Sequence, residues 1–213
     1  MQNQRLAWAI TGSGHYLREC LNILQHIENV DIFLSKAAAE IIKQYGFQAQ
    51  LDATGHKVYQ DKTASSVPVE GFYAGKYHTL VVAPATSNTV AKMAFGFSDS
   101  LVTNLYAQAG KTRVPSIIFA CDTVPPVGEK SIESEAPRDN MVQVYPRQID
   151  LDNVQKLTLF EHTQIVDSVS MLQQAISMRI AEHANSNAQI KNKCNEGWKA
   201  IVCDRKVSWK KPK

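Results

Sequence analysis

The chain has 213 residues, a formal net charge of +3, 44% hydrophobic residues and 20% charged ones. That apolar content fills the core of one ordinary domain with a modest appendage, and the charge is too low and too mixed for a disordered chain. The positive excess is local: Lys191, Lys193, Lys199, Arg205, Lys206, Lys210, Lys211 and Lys213 face only Glu196 and Asp204 in the same tail, so the rest is slightly acidic and no nucleic-acid partner is expected. Cys20, Cys121, Cys194 and Cys203 include no C-x-x-C pair, and no signal-like leader is visible. Apolar runs such as 116–121 fall far short of the roughly 18 residues of a membrane span. A soluble, cytoplasmic protein with no membrane partner is expected.

Leu6 to Thr11 is a nearly continuous apolar run followed by Gly12-Ser13-Gly14, which reads as a strand buried on both faces that turns into a helix. Leu17, Leu21, Leu24 and Ile27 then recur at helical spacing. Val30 to Leu34 reads as a second buried strand, and Lys36 to Tyr45 as a helix stopped by Gly46. Residues 48–77 are polar and carry no readable pattern. Thr79 to Ala83 is a third strand ending at Pro84; 86–94 and 98–109 read as helix interrupted near Gly96; Val114 to Cys121 is a fourth strand. Asp122 to Asn140, with Pro125, Pro126 and Pro137, reads as a loop, and Met141 to Tyr145 as a fifth strand. Leu151 to Phe160 is a short predicted helix and Thr163 to His183 a long one; beyond Ala184 the pattern fades.

Strands alternating with helices over this length predict an α/β, Rossmann-like three-layer sandwich with a mostly parallel sheet over residues 1–183, followed by a basic tail, 184–213. In that architecture ligands lie beyond the carboxyl ends of the strands, which directs attention to Gly12–His15, Ser35–Lys36 and Pro84–Thr89. The glycine turn offers backbone N–H groups and a hydroxyl at a helix start, where a phosphate is favoured. It is not a dinucleotide fingerprint: Leu17 stands where the third glycine belongs, and Ser35-Lys36 replaces the ribose-binding acid. A ligand-free βα turn is the other reading of a lone G-x-G. Ala85, Thr86, Ser87 and Asn88 form a neutral polar cluster, which alone reads equally as a helix N-cap. Ser98, Ser100 and Thr103 form a second hydroxyl set. The histidines have no metal-ligand spacing, and no metal is expected.

These residues are also where the sequence resembles a known family. Gly12-Ser13-Gly14, Ser35-Lys36-Ala37, Pro84-Ala85-Thr86-Ser87-Asn88-Thr89 and Ser98-Asp99-Ser100-Leu101-Val102-Thr103-Asn104 are similar to the homo-oligomeric flavin-containing cysteine decarboxylase superfamily, over about residues 5–180. Its most specific part is P-A-T-S-N-T, a variant of the superfamily's P-A-S-A-N-T. The resemblance implies noncovalent FMN in a Rossmann-like fold, and a trimer-based homo-oligomer that can extend to a larger shell. It implies cofactor contacts at Gly12, Ser13, Ser35, Ser98 and Thr103 and a flavin-side and substrate-side cluster at Thr86, Ser87 and Asn88. Gly14, His15, Lys36 and Ala85, beside them at the strand ends, are expected to join the cofactor site; His15, for which capping its helix is the other reading, and Asn88, whose carboxamide can bond a ring edge in both directions, are the candidate catalytic residues.

The superfamily's P-x-M-N-x-x-M-W clamp has no match, since Pro137-Arg138-Asp139-Asn140-Met141 lacks the order and the tryptophan, and the decarboxylase histidine has no secure counterpart, with His56 in the unpatterned segment. Leu34 to Ala38, Tyr45-Gly46, His15 and Ala91 to Asp99 instead resemble the archaeoflavoprotein branch and its bacterial relatives. That resemblance implies FMN-dependent reduction of dihydromethanopterin, or a similar pterin substrate, by hydride transfer, with NAD(P)H or a redox protein as electron donor. A flavin-binding electron-transfer protein and a phosphopantothenoylcysteine decarboxylase-like lyase are the alternative readings. In the tail, Cys194 and Cys203 are too few thiols for an iron–sulfur cluster, which takes about four. Trp198 and Trp209 are expected to pack on a neighbouring subunit.

Overall fold

A computed structural model describes residues 4–62, 69–121, 123 and 145–204, with side chains described up to residue 186 and at 188. The chain divides into two units, Met1–Gln174 and Ala175–Lys213. The described part of the second unit is helical.

The first unit is a six-stranded, wholly parallel sheet in the order β3-β2-β1-β4-β5-β6. Its strands are β1 (Arg5–Ile10), β2 (Val30–Leu34), β3 (Lys57–Gln60), β4 (Tyr77–Ala85), β5 (Ser116–Ala120) and β6 (Thr163–Val166). The helices are α1 (Leu17–Leu24), α2 (Lys36–Gln44), α3 (Gln48–Ala53), α4 (Glu70–Tyr73), α5 (Ser87–Ala94), α6 (Leu101–Lys111), α7 (Gln148–Leu157) and α8 (Val169–Asp204), the last entering the second unit. The chain order reverses between β1 and β4, so the switch point lies there, and the connections leaving those strands border the crevice where α/β sheets bind ligands.

Every residue of β2 and β5 is buried, as are all of β1 after Arg5 and all of β4 except His78. Burial on both faces is why these strands appear in the sequence as apolar runs. On one face Ala7, Ala9, Phe33, Leu80 and Val82 meet Val90 and Met93 of α5 and Leu101, Val102 and Leu105 of α6 in one cluster.

Several expectations need correction. Lys57–Gln60 is a strand inside the unpatterned segment, and its edge position and partial exposure explain the missing apolar run. Residues 163–166 do not begin the long helix: Thr163 to Val166 pairs with Ser116 to Phe119 as β6. The helix begins at Val169, where the Ser168 hydroxyl accepts the Met171 amide at 3.3 Å. It also continues to Asp204 through the stretch where the periodicity faded. The third predicted strand runs two residues past Ala83, through a cis Ala83–Pro84 bond to Ala85. The predicted loop 122–140 and strand 141–145 lie outside the described residues, apart from Thr123 and Tyr145, neither of which is in a strand.

Candidate functional site

The three neighbouring strands β2, β1 and β4 each lead into a helix of at least eight residues, so the amino termini of α2, α1 and α5 share the carboxyl edge of the sheet. Each carries a partial positive charge from its aligned peptide dipoles. The turns arise from local chemistry. Ser35 is extended (φ −65°, ψ 162°) and its hydroxyl accepts the Ala38 amide at 3.1 Å, an N-cap. Thr86 does the same for Thr89 at 3.3 Å, with φ −68° and ψ 152°.

After β1 the chain winds tightly. The Ser13 amide donates to the Thr11 carbonyl at 2.9 Å, and the Ser13 hydroxyl accepts the His15 amide at 3.2 Å. Among the described residues the amides of Gly12 and Gly14 donate to no acceptor. A Cβ on Gly12 would lie 2.5 Å from the Cβ of Ala37, so this turn packs its backbone directly against the first turn of α2. Tyr16, the N-cap of α1, is left-handed at φ 62°, ψ 8°, an unusual conformation for a bulky side chain. Its ring is stacked by His15 at 3.8 Å between centroids and touched by Phe119 of β5 at 4.8 Å. Strain of this kind concentrates at ligand sites.

The structure thus brings Gly12, Ser13, Gly14, His15, Ser35, Lys36, Ala85, Thr86, Ser87 and Asn88 to the ends of three adjacent strands. Ser13 and Ala85 are buried; His15, Lys36 and Asn88 are exposed. Ser98 and Thr103 flank the start of α6. Both line a cleft of about 220 Å³ along α6, walled also by Phe97, Tyr106, Val114 and Phe160, and no residue of the glycine turn or of Ala85–Asn88 contributes to it. The Thr103 hydroxyl serves the capping box of α6, accepting the Ser100 amide at 3.0 Å while the Ser100 hydroxyl accepts the Thr103 amide at 3.4 Å. The start of α6 is further occupied by an anion, because Asp61, just beyond β3, accepts the Leu101 amide at 3.2 Å.

His56 sits at the opposite edge of the sheet, immediately before β3, with its Nε2 3.0 Å from the carbonyl oxygen of Leu24 at the end of α1. That removes it from the strand-end site. Two residues that sequence reasoning passed over, Trp8 and Thr11, hold the end of β4 from β1. Tyr16 was also overlooked, and Tyr after G-x-G-H in a helix-start context carries no readable sign of a left-handed backbone. Among the described residues no three His, Cys, Asp or Glu side chains group as metal ligands, and no helix is long and apolar enough to cross a membrane.

The chain is similar to several known proteins. An uncharacterized protein of Methanocaldococcus jannaschii is 34% identical over 183 residues, 83% of this chain and 96% of that one. A dihydromethanopterin reductase (acceptor) of Methanosarcina mazei is 38% identical over 150 residues, a match spanning 64% of this chain and 61% of the relative. Among solved structures, Burkholderia xenovorans DmrB in complex with FMN, described as a cubic protein cage for redox transfer, is 45% identical with a TM-score of 0.78, covering 86% of this chain and 98% of that one. The flavoprotein family model matches residues 1–194, and the chain belongs to that family.

Proposed function

We propose that the chain is an FMN-dependent reductase that converts dihydromethanopterin, or a similar pterin, to its tetrahydro form. The observation that carries this reading is the carboxyl edge of β2-β1-β4, where three helix amino termini and the amides of Gly12 and Gly14, which donate to no acceptor among the described residues, meet neutral hydroxyls. Such a donor set suits a phosphate monoester, and the absence of a Cβ on Gly12 lets the turn pack directly against the first turn of α2, bringing the two helix starts together. The FMN-bound DmrB structure, 45% identical over nearly its whole length, supports the same cofactor here.

In this reading Gly12, Ser13, Gly14, Ser35 and Lys36 hold the phosphate, with Lys36 the one cation among them. Ala85, Thr86, Ser87 and Asn88 border the ring system, where the Asn88 carboxamide both donates and accepts. His15 is exposed beside them, and its stacking on Tyr16 fixes the imidazole so that it can hold or deliver a proton. FMN, when bound, supplies the hydride chemistry. The protein's own work is binding, orientation, proton delivery and exclusion of water.

We also propose a homo-oligomer built on trimers. The cage described for DmrB is its precedent, since cubic symmetry contains threefold axes. In such an assembly Ser98, exposed beside the α6 cleft, contacts a cofactor held by a neighbouring copy, and the buried Thr103 holds the helix start next to it. A cytoplasmic setting agrees with the absence of a disulfide at Cys20 and Cys121.

The test is anaerobic stopped-flow mixing of reduced, FMN-loaded protein with dihydromethanopterin. The expected result is flavin reoxidation whose rate rises with pterin concentration. Flavin binding without pterin-dependent reoxidation would leave an electron carrier and refute the reductase.

A further inference from the structure

Pro84 and its neighbours lie within a central strand, where a proline removes a ladder donor and disrupts pairing. The β4–β5 register shifts between Val82 and Ala85, and the pairing of β4 with β1 stops at Ala9↔Val82. The carbonyls of Ala83, Pro84 and Ala85 and the amide of Thr86 take other partners. The carbonyl of Ala83 accepts from the indole Nε1–H of Trp8 at 2.7 Å. The carbonyl of Pro84 accepts both the Thr11 amide at 3.2 Å and the Thr11 hydroxyl at 2.7 Å. The carbonyl of Ala85 accepts the Cys121 amide at 2.8 Å, and the Thr86 amide donates to the Thr11 hydroxyl oxygen at 2.8 Å.

Thr11 thus spends its hydroxyl hydrogen on one side of Ala85 and its lone pair on the other. It is 1% exposed and Trp8 is fully buried, so neither bond competes with water. Thr11 is also the residue before Gly12, and its carbonyl anchors the Ser13 amide. A single buried side chain consequently joins the glycine turn to the start of α5.

We propose that Thr11, assisted by Trp8, is the positioning residue of the cofactor site, setting the spacing between the Gly12–His15 turn and the Ala85–Asn88 cluster. This rests on the reading of that strand edge as the FMN site. Neither side chain touches the ligand; both act through backbone groups. A hydroxyl is required because the position must donate and accept at once, and valine, of the same shape, does neither.

The experiment compares FMN dissociation constants, from flavin fluorescence, for wild type, Thr11→Val, Thr11→Ser and Trp8→Phe, alongside melting temperatures. Tyr77→Phe is the control: it removes a buried hydroxyl bond to Asp31 at the far edge of the sheet. Thr11→Val is expected to weaken FMN binding about tenfold or more, as the Thr86 amide loses its acceptor and the buried Pro84 carbonyl loses one of its two donors. Thr11→Ser is expected to stay within about threefold of wild type because the hydroxyl is kept. Trp8→Phe loses the indole N–H bond and part of a buried ring, so it is expected to lower the melting temperature and to fall between the two Thr11 variants in FMN affinity, and it tests the clamp if Thr11→Val does not fold. Tyr77→Phe lowers the melting temperature without changing FMN affinity. Wild-type affinity in both Thr11→Val and Trp8→Phe, or equal loss in Thr11→Ser and Thr11→Val, overturns the positioning role. Failure of wild-type protein to bind FMN overturns the site reading and this inference with it.

Discussion

Replacing Gly12 with alanine tests the site at its tightest point. The new Cβ would stand 2.5 Å from the Cβ of Ala37, against 3.4–4 Å for ordinary contact, so the turn and α2 must separate by roughly 1 Å. Alanine's Cβ has no rotamer by which to yield, and the displacement passes into the backbone at the start of α2. Overpacking of this kind costs about 1–3 kcal/mol. Loss of glycine's freedom in the unfolded chain returns about 0.4–1 kcal/mol. The net cost is about 1–2 kcal/mol, which lowers the melting temperature by roughly 2–8 °C for a domain of this size. FMN affinity should fall about tenfold or more, since a turn displaced by roughly 1 Å from α2 weakens hydrogen bonds to an ionised phosphate that contribute about 1.5–3 kcal/mol each. The rescue is Ala37→Gly in the same chain. It removes the clashing atom for about 1 kcal/mol of helix propensity, so the double variant should bind FMN far better than Gly12→Ala alone. Thermal melts by circular dichroism and FMN titration measure both quantities. If Gly12→Ala binds and melts like wild type, or Ala37→Gly fails to rescue it, the packing argument for this turn is wrong.

Gly14→Ala makes a contrast, because its Cβ would meet the ring edge of Tyr45, a 45% exposed side chain that can swing aside; the expected change in stability is under about 0.5 kcal/mol by thermal melt. Asp31, nearly fully buried in β2, accepts from Arg5 Nε at 2.8 Å, Lys76 Nζ at 2.5 Å and Tyr77 Oη at 2.7 Å. Asp31→Asn should cost about 2–3 kcal/mol at neutral pH, below the usual figure for breaking a buried pair because Arg5 and Lys76 are partly hydrated, and denaturant unfolding measures it. Burial pushes the Asp31 carboxyl up, but the hydrogen bonds from Lys76 and Tyr77 and the charges of Arg5 and Lys76 outweigh it and hold it below the usual carboxylate value. Its contribution is therefore complete above about pH 5 and is lost as pH falls through the folded-state value, so Asp31→Asn should flatten the acid limb of the stability curve. Burial first, then the neighbouring Cys121 and Glu19, push the Cys20 thiol well up. Iodoacetamide at pH 8 followed by peptide mass spectrometry should find Cys20 unmodified until the protein unfolds, and native-state labelling would contradict its burial.

The strands that a reader of the sequence finds are those the sheet buries. β1, β2, β4 and β5 occupy the four central positions, and each is written as an apolar run. β3 and β6 are the two edges, and only one of their eight residues, Val166, is buried. An edge strand half in water has little reason to be continuously apolar, and Thr163 to Val166 could continue the periodicity of Ile165, Val169 and Leu172 as a helix until pairing with β5 decided otherwise. The local sign of the true helix start was Ser168, an N-cap hydroxyl two residues beyond the strand.

The candidate site was legible for a related reason and illegible for another. Glycines, caps and hydroxyls immediately after a buried strand must lie at its carboxyl end, so Gly12–His15, Ser35–Lys36 and Ala85–Asn88 could be placed together from order alone. Hydroxyl content alone does not distinguish a ligand contact from a cap, and it did not show that the Thr103 hydroxyl accepts the Ser100 amide at the start of its own helix. Nor could it disclose a dependence between two motifs about seventy residues apart. A proline in a central strand is the clue that such a dependence must exist. Its neighbours' carbonyls and amides still require partners in a buried setting, and these come from backbone amides of Thr11 and Cys121 together with side chains of β1 and the residue that follows it. Trp8 and Thr11 supply those side chains, which means that the P-A-T-S-N-T segment is held in place by the strand that carries the glycine turn.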